Sequence, residues 1–184
     1  MPSAIIHFKN LKQLSEKVKC RTNFSNTFTE KRQIEFIENQ NNVFQIFGNS
    51  NIDSILKSIN EKSETLGTHM VNARGVEVGK KSGVIHINKQ YNFKSFLRGE
   101  DIERYRIKKS VYIDTSLPNI DYKDDTLYHG TKILIRKTGS GINAVIDEEY
   151  RYVIQTIYIF KVRPNSNLNL YYILGLINSK LMVF

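Results

Sequence analysis

The 184 residues suit one domain, or one domain with a small appendage, and 40% of them are apolar, which is enough for a hydrophobic core. Lys and Arg number 27 against 18 Asp and Glu, so the formal net charge is +9. That excess favours a polyanionic partner, either nucleic acid or an acidic membrane surface. The basic residues are spread along the chain, so folding must assemble any anion-binding surface.

The composition excludes several classes of protein. Cys20 is the only cysteine, so no intrachain disulfide can form and nothing indicates secretion. The histidines have no zinc-type spacing with Cys20. No run of about 18 apolar residues indicates a membrane span. We therefore expect a cytoplasmic protein with no metal site and no membrane partner.

The first 50 residues carry no clear periodic pattern, and we interpret residues 1–50 as a linker or an accessory N-terminal segment. Apolar residues then recur at helical spacing from Asn51 to Gly67. This pattern predicts a helix that Asn51 caps and that Gly67 ends in the left-handed conformation. The end of the chain, Leu170–Phe184, is apolar and helix-like without a C-cap. We expect residues 51–184 to be one domain, truncated at this helix.

Three apolar runs with strand composition lie in Lys132–Val162, separated by Thr138–Gly141 and by Asp147–Glu149. The two glycines of the first break supply the positive φ of a hairpin loop. The third run, Tyr152–Val162, is apolar on both faces, which is typical of a central strand covered on both sides. The sequence therefore predicts an α+β fold, with a mainly antiparallel β meander core and flanking helices.

Basic residues beside glycines or aromatic residues are the candidates for binding. Glycine lets backbone N–H groups approach a phosphate, and a neighbouring arginine can bind phosphate or the O6/N7 edge of guanine. The candidates are Arg74, Lys80 and Lys81 beside Gly75 and Gly79; Arg98, Arg104 and Arg106 around Gly99 and Tyr105; and Arg136 and Lys137 before Gly139. Each basic residue taken alone is more simply a solvated surface charge, and Arg74 and Arg98 also have acidic neighbours.

Catalytic signatures are mostly missing. The chain has no Walker loop, no G-x-S-x-G elbow, no H-E-x-x-H motif, and no Pro-Pro-aromatic loop for amino methylation. One nuclease-like pattern remains, Asp114 followed by Asp121 and Lys123, which could hold Mg²⁺ for phosphodiester cleavage. Chance explains this pattern better, because 24% of the residues are charged. We expect no catalysis by the chain itself.

Five ordered segments, from about Asp53 to the end, carry a further signal. The most specific is FLRGEDIERYRI, and the others are DSILKSINEKSETLG, ARGVEVGK, KILIRKTGSGINAVIDEEYRYVIQTIYIF and YYILGLINSK. Together they resemble the TaqI-like C-terminal specificity domain, the target recognition domain of adenine-specific DNA methyltransferases and of type IIG restriction-modification enzymes.

The resemblance implies a module that recognises a duplex DNA sequence and presents it to a methyltransferase or nuclease domain outside this chain. That domain would bind S-adenosylmethionine, so no cofactor is expected here. The resemblance implies that DNA lies against Arg74, Gly75, Gly79, Lys80, Arg98, Gly99, Asp101, Arg104, Tyr105 and Arg136, with Gly99, Asp101 and Tyr105 open to a mainly structural interpretation. Half of a type I specificity subunit is the alternative; a protein-binding module or a Mg²⁺ nuclease is a weaker one.

Overall fold

The computed structural model describes residues 17–21, 28–38, 44, 50–78, 83–117 and 120–183. The chain divides into two compact units, Met1–Ser63 and Glu64–Phe184. In the smaller unit, β1 (Lys17–Cys20) and β2 (Thr29–Arg32) pair antiparallel. Two helices follow them, α1 (Gln33–Glu38) and α2 (Ser50–Lys62).

The predicted helix from Asn51 to Gly67 is wrong at its C-terminal end. Helix α2 ends at Lys62, and Gly67 lies inside a separate short helix, α3 (Leu66–His69). The Ser63 hydroxyl donates a hydrogen bond to the Ile59 carbonyl at 2.7 Å, which satisfies one of the free carbonyls at the end of α2. Extended backbone at Thr65 then starts α3, so no left-handed glycine is needed.

The larger unit confirms the α+β class with antiparallel sheets. Helix α4 (Leu170–Ile177) lies near its C-terminal end. The described strands of this unit are β3 (Met70–Arg74), β4 (Ile85–His86), β5 (Phe93–Leu97), β6 (Ile102–Glu103), β7 (Arg106–Ile107), β8 (Val111–Asp114), β9 (Lys132–Arg136), β10 (Asn143–Asp147), β11 (Tyr152–Val153) and β12 (Ile157–Val162).

Two four-stranded sheets organise these strands. The first sheet has the order β10-β9-β12-β3 and is antiparallel throughout. The second sheet has the order β11-β5-β8-β4, and only its β11–β5 pair is parallel. Strands β6 and β7 form a separate hairpin.

The first sheet contributes to two hydrophobic clusters, one from each of its faces. On one face, Ile133 and Ala144 pack with Ile173 and Ile177 of α4. The other face contributes to the larger cluster, together with side chains of the second sheet: Phe96, Leu97, Val111, Ile113, Leu134, Val145, Val153, Ile157 and Ile159. Because strand residues alternate between faces, this sheet is buried on both sides.

The predicted single strand Tyr152–Val162 is divided in two. Strand β11 pairs with β5 in the second sheet, whereas β12 lies in the centre of the first sheet. The segment Ile154–Thr156 crosses between them, with a hydrogen bond of 2.8 Å from the Ile157 N–H to the Ile154 carbonyl. The central position predicted for this run is confirmed for β12. The order is not that of a meander, since β9 rather than β10 lies beside β12.

The C-terminal helix is also shorter than predicted, because α4 ends at Ile177 and a 3-10 helix, Lys180–Val183, follows. Asn178 follows α4, and its buried side chain binds the edge strand β10. Its Oδ1 accepts a hydrogen bond from the Ala144 N–H at 3.0 Å, and its Nδ2 donates one to the Ala144 carbonyl at 2.9 Å. One amide therefore pairs the peptide groups that a sheet edge leaves open.

Asn178→Ala should destabilise the larger unit by about 2–3 kcal/mol, because it leaves the buried Ala144 N–H without a partner and removes one of the two hydrogen bonds that the Ala144 carbonyl accepts. Denaturant unfolding measures the change. The matched control is Asn169→Ala, which removes an exposed N-cap of α4 and should cost only about 1 kcal/mol. Equal losses in the two variants would contradict the edge-pairing role.

Candidate nucleic-acid interface

Strand register brings two of the predicted arginines to the same end of the first sheet. Arg74 pairs with Tyr158, while Arg136 pairs with Ile157 on one side and with Asn143 on the other. The loop between β9 and β10 lies at this end, and its first residue is Lys137. We call Arg74, Arg136 and Lys137 the basic end of the sheet.

Arg136 is half-buried, and its guanidinium lies against two glycines. A Cβ at Gly139 would lie 3.3 Å from Nη2 of Arg136, and one at Gly99 would lie 3.8 Å from Nε. Gly139 has a φ of 113°, which favours glycine in this loop. The Nε atom of Arg136 is buried without an acceptor among the described residues, and such unpaired donors are uncommon. The guanidinium therefore keeps an unused donor, which a ligand can reach only if the side chain moves.

Lys137 and Arg74 lie near Tyr158 at the same end. The Lys137 ammonium is exposed and lies 5.9 Å from the centroid of the Tyr158 ring. Arg74 is about half exposed, and its guanidinium lies 4.0 Å from the Glu77 carboxylate. An exposed ion pair of this length contributes little to stability, so Arg74 can exchange Glu77 for a phosphate. From the sequence we predicted Tyr158 only as a scaffold residue. Because strand residues alternate between faces, Tyr158 lies on the opposite face of the sheet from the buried Ile157, and this alternation was the signal for its position.

Arg98 is held by acidic neighbours, the alternative that the sequence left open. Its Nε and Nη2 donate to the Asp101 carboxylate at 3.0 and 3.1 Å, and Glu100 lies 2.7 Å from Nη2. The side chain of Asp101 is 1% exposed and also accepts the Arg98 N–H at 2.9 Å. Hydrogen bonds to Asp101 raise the pKa of Arg98 above its ordinary value, although burial acts in the opposite direction. This arrangement fixes Gly99 beside Arg136; contact of Arg98 with DNA stays a prediction.

The β6–β7 hairpin adds three more of the predicted residues. Arg104 and Tyr105 form its exposed tip, and Arg106 pairs with Glu103 at 2.8 Å. The Tyr105 N–H donates to the Ala144 carbonyl at 2.9 Å. Ala144 follows Asn143, the partner of Arg136, so the hairpin tip lies beside the basic end.

Other predicted residues fall elsewhere. Gly75 packs against the backbone of Val153 and Ile154, which gives it a structural role while its contact with DNA stays a prediction. Gly79, Lys80 and Lys81 lie outside the described residues, and the predictions about them are untested.

The carboxylates of the nuclease-like pattern are engaged in local contacts. Asp114 accepts hydrogen bonds from the hydroxyl and the N–H of Ser116, which lower its pKa. Asp121 forms an ion pair with Lys123. The part of the chain that the structure describes contains no group of three or more His, Cys, Asp or Glu side chains placed to hold a metal ion. Within the same residues, no helix is long and apolar enough to cross a membrane.

The fold and this site define an α+β domain that gathers arginines, a lysine and tyrosines at one end of a sheet. Residues 94–184 match the TaqI-like C-terminal specificity domain. This part of the chain belongs to that family, which confirms the resemblance over these residues; the similar segments DSILKSINEKSETLG and ARGVEVGK lie before the match and stay a prediction. A specificity domain of this kind implies DNA target recognition in a methyltransferase context. Comparison with curated proteins gives no match.

Proposed function

We propose that the chain is the sequence-reading module of an adenine-specific restriction-modification methyltransferase of the type IIG kind. It binds duplex DNA and presents the target to a catalytic domain that is not part of this chain and that binds S-adenosylmethionine. The observation that carries the proposal is Arg136, which lies within the matched residues 94–184 beside the Gly139 loop and whose Nε has no acceptor in the part of the chain that the structure describes.

The roles of the basic end follow from its chemistry. The flat guanidinium of Arg136 can form two parallel hydrogen bonds, which suit either a phosphate or the O6/N7 edge of guanine. Lys137 and Arg74 are more exposed and suit phosphate contacts, which set affinity and register but carry no sequence information. The ion pair of Arg98 with Asp101 fixes the position of Gly99, which lies close to the Arg136 side chain.

The test is equilibrium binding of the purified chain to labelled duplex DNA over a range of salt concentrations. If about five cations contact phosphate, log K falls against log salt with a slope of about −4 to −5. Arg136→Ala should keep the fold and weaken binding roughly 10- to 100-fold, because one good two-bond contact contributes about 1–3 kcal/mol.

The matched control is Arg163→Ala. Arg163 is exposed and follows β12 at the opposite end of the first sheet, so its removal changes the net charge by the same amount and should alter binding little. A slope near zero for the unmodified chain overturns the proposed function. Unfolding of Arg136→Ala would instead show that Arg136 is needed for stability and that the interface lies elsewhere.

A further inference from the structure

Tyr105 has an unusual backbone conformation. Its φ is 65°, and it is the only non-glycine residue with a positive φ in the described part of the chain. This left-handed region is unfavourable for residues with a bulky side chain and favours glycine or asparagine. Tyr105 occupies the second position of the two-residue turn between β6 and β7, where glycine or asparagine usually meets this requirement.

The backbone of Tyr105 is hydrogen-bonded to the fold, whereas its ring has no polar or aromatic partner among the described residues. The N–H bonds to the Ala144 carbonyl at 2.9 Å, a contact that any residue other than proline can make. Tyr105 is 56% exposed, and its hydroxyl and ring take part in none of the hydrogen bonds, ring stacks or cation–π contacts found among the described residues. No hydrogen bond, ring stack or cation–π contact of the described residues offsets the strain of placing tyrosine here, which points to a contact of the ring outside the chain.

The surroundings of the ring indicate what it contacts. Arg104 precedes it, is exposed and belongs to no ion pair of the described residues. The basic end, with Arg136 and Lys137, lies beside the same hairpin tip through Ala144 and Asn143. Exposed aromatic rings flanked by cations are the surfaces on which nucleic-acid bases stack while the cations hold the backbone.

We propose that the Tyr105 ring stacks on a DNA base at the hairpin tip, as a wedge at a base step, while Arg104 holds the adjacent phosphate. The inference rests on the proposed function and adds to it a residue that contacts the face of a base. A stack on a base face is tolerant of sequence, so Tyr105 would contribute affinity and DNA deformation rather than base selection.

The experiment compares Tyr105→Asn, Tyr105→Phe and Arg104→Ala in binding to a labelled duplex with a randomised centre. Tyr105→Asn should weaken binding roughly 5- to 100-fold at every salt concentration without changing the salt slope, since stacking releases no counterions. Tyr105→Phe should bind like the unmodified chain. Arg104→Ala should reduce the slope by about 1. Thermal unfolding should show Tyr105→Asn at least as stable as the unmodified chain, because asparagine suits the left-handed region.

The control is Tyr91→Asn. Tyr91 is 98% exposed and lies just before the start of β5, whereas Arg98 follows the end of that strand. Unchanged DNA affinity of Tyr105→Asn overturns the stacking role. If Tyr105→Phe loses as much affinity as Tyr105→Asn, the stacking role is also overturned, and the contact is made by the hydroxyl. Reduced stability of Tyr105→Asn would show that the fold does use the ring. These results require salt-dependent binding by the unmodified chain, whose absence would overturn the proposed function itself.

Discussion

Asp147→Leu should destabilise the larger unit by about 3–5 kcal/mol, because it leaves the buried ammonium of Lys132 without its counter-charge. Lys132 and Asp147 face each other in the register of β9 and β10, and Lys132 Nζ lies 3.0 Å from Asp147 Oδ2. Both side chains are 0% exposed. Loss of one partner is severe here because water cannot replace it.

The surroundings of this ion pair explain why a lysine can be buried at all. Its Nζ also donates to the Glu149 carbonyl at 2.6 Å and to the Gly130 carbonyl at 3.3 Å. Burial lowers the pKa of Lys132, while Asp147 acts to raise it. Asp147 has a second partner, Arg151, whose side chain is 14% exposed and also pairs with Glu149. Lys132→Met should therefore be less damaging than Asp147→Leu, since Asp147 keeps Arg151.

A double-mutant cycle measures this coupling by denaturant unfolding of both single variants and of Lys132→Met/Asp147→Leu. The double variant should be more stable than the sum of the single effects predicts, because a packed apolar pair leaves no unpaired charge. The matched surface pair is Lys123–Asp121, whose side chains are 30% and 59% exposed and whose coupling should stay below about 1 kcal/mol. Additive effects at Lys132 and Asp147 would contradict the proposed role of the pair.

The position of this pair links stability to the site. Lys132 and Arg136 are the first and last residues of β9, and Asp147 and Asn143 are the corresponding ends of β10. The Lys132–Asp147 ion pair therefore stabilises one end of the β9–β10 hairpin, and the opposite end carries Arg136 and the Gly139 loop. A hairpin fixed in this way presents Arg136 on a rigid element, which precise recognition requires.

The fold class was predictable because its signal is local. Apolar residues on both faces of Ile157–Val162 predict a central strand, and the structure places β12 there. The division of Tyr152–Val162 was not predicted, because the two polar residues at the crossover, Gln155 and Thr156, do not by themselves indicate a change of sheet. Which sheet β11 joins depends on contact with β5, more than 50 residues earlier in the chain. Strand order depends on such distant pairings and is not written in local periodicity.

The residues of the site could be predicted from the sequence. Which of their charged groups are already engaged in ion pairs within the protein could not. Arg136 beside Gly139 was recognisable from the sequence, and the structure brings these residues together. Arg98 also precedes a glycine, Gly99, yet Asp101 holds it in a half-buried ion pair. Sequence spacing indicates that such a pair can form, but burial of the carboxylate decides its strength. The acidic neighbours of Arg98 are visible in the sequence, but only the fold shows that they bind it.

A glycine can leave room for a ligand to approach the backbone, or it can leave room for the protein's own backbone. Gly75 shows the second role in the structure. The sequence suggested that Gly75 lets a DNA phosphate approach the backbone, and in the structure the protein's own backbone lies where a side chain at this position would be. A Cβ on Gly75 would lie 2.1 Å from the Val153 carbonyl oxygen and 2.5 Å from that of Ile154. The Gly75 N–H also donates to the Ile157 carbonyl at 3.1 Å, so the residue after β3 is held against the start of β12 as well as against the crossover.

Gly75→Ala should therefore destabilise the larger unit by about 3 kcal/mol or more, at the upper end of overpacking effects, because backbone atoms cannot move aside as a side chain can. The matched control makes the same chemical change in α4, where a Cβ on Gly175 would meet nothing within 4 Å. Gly175→Ala should stabilise the protein by up to about 1 kcal/mol, since alanine favours the helix. Denaturant unfolding of both variants should give opposite signs. A Gly75→Ala variant that unfolds like the unmodified chain but has lost DNA binding would restore the phosphate-approach role and contradict the packing role.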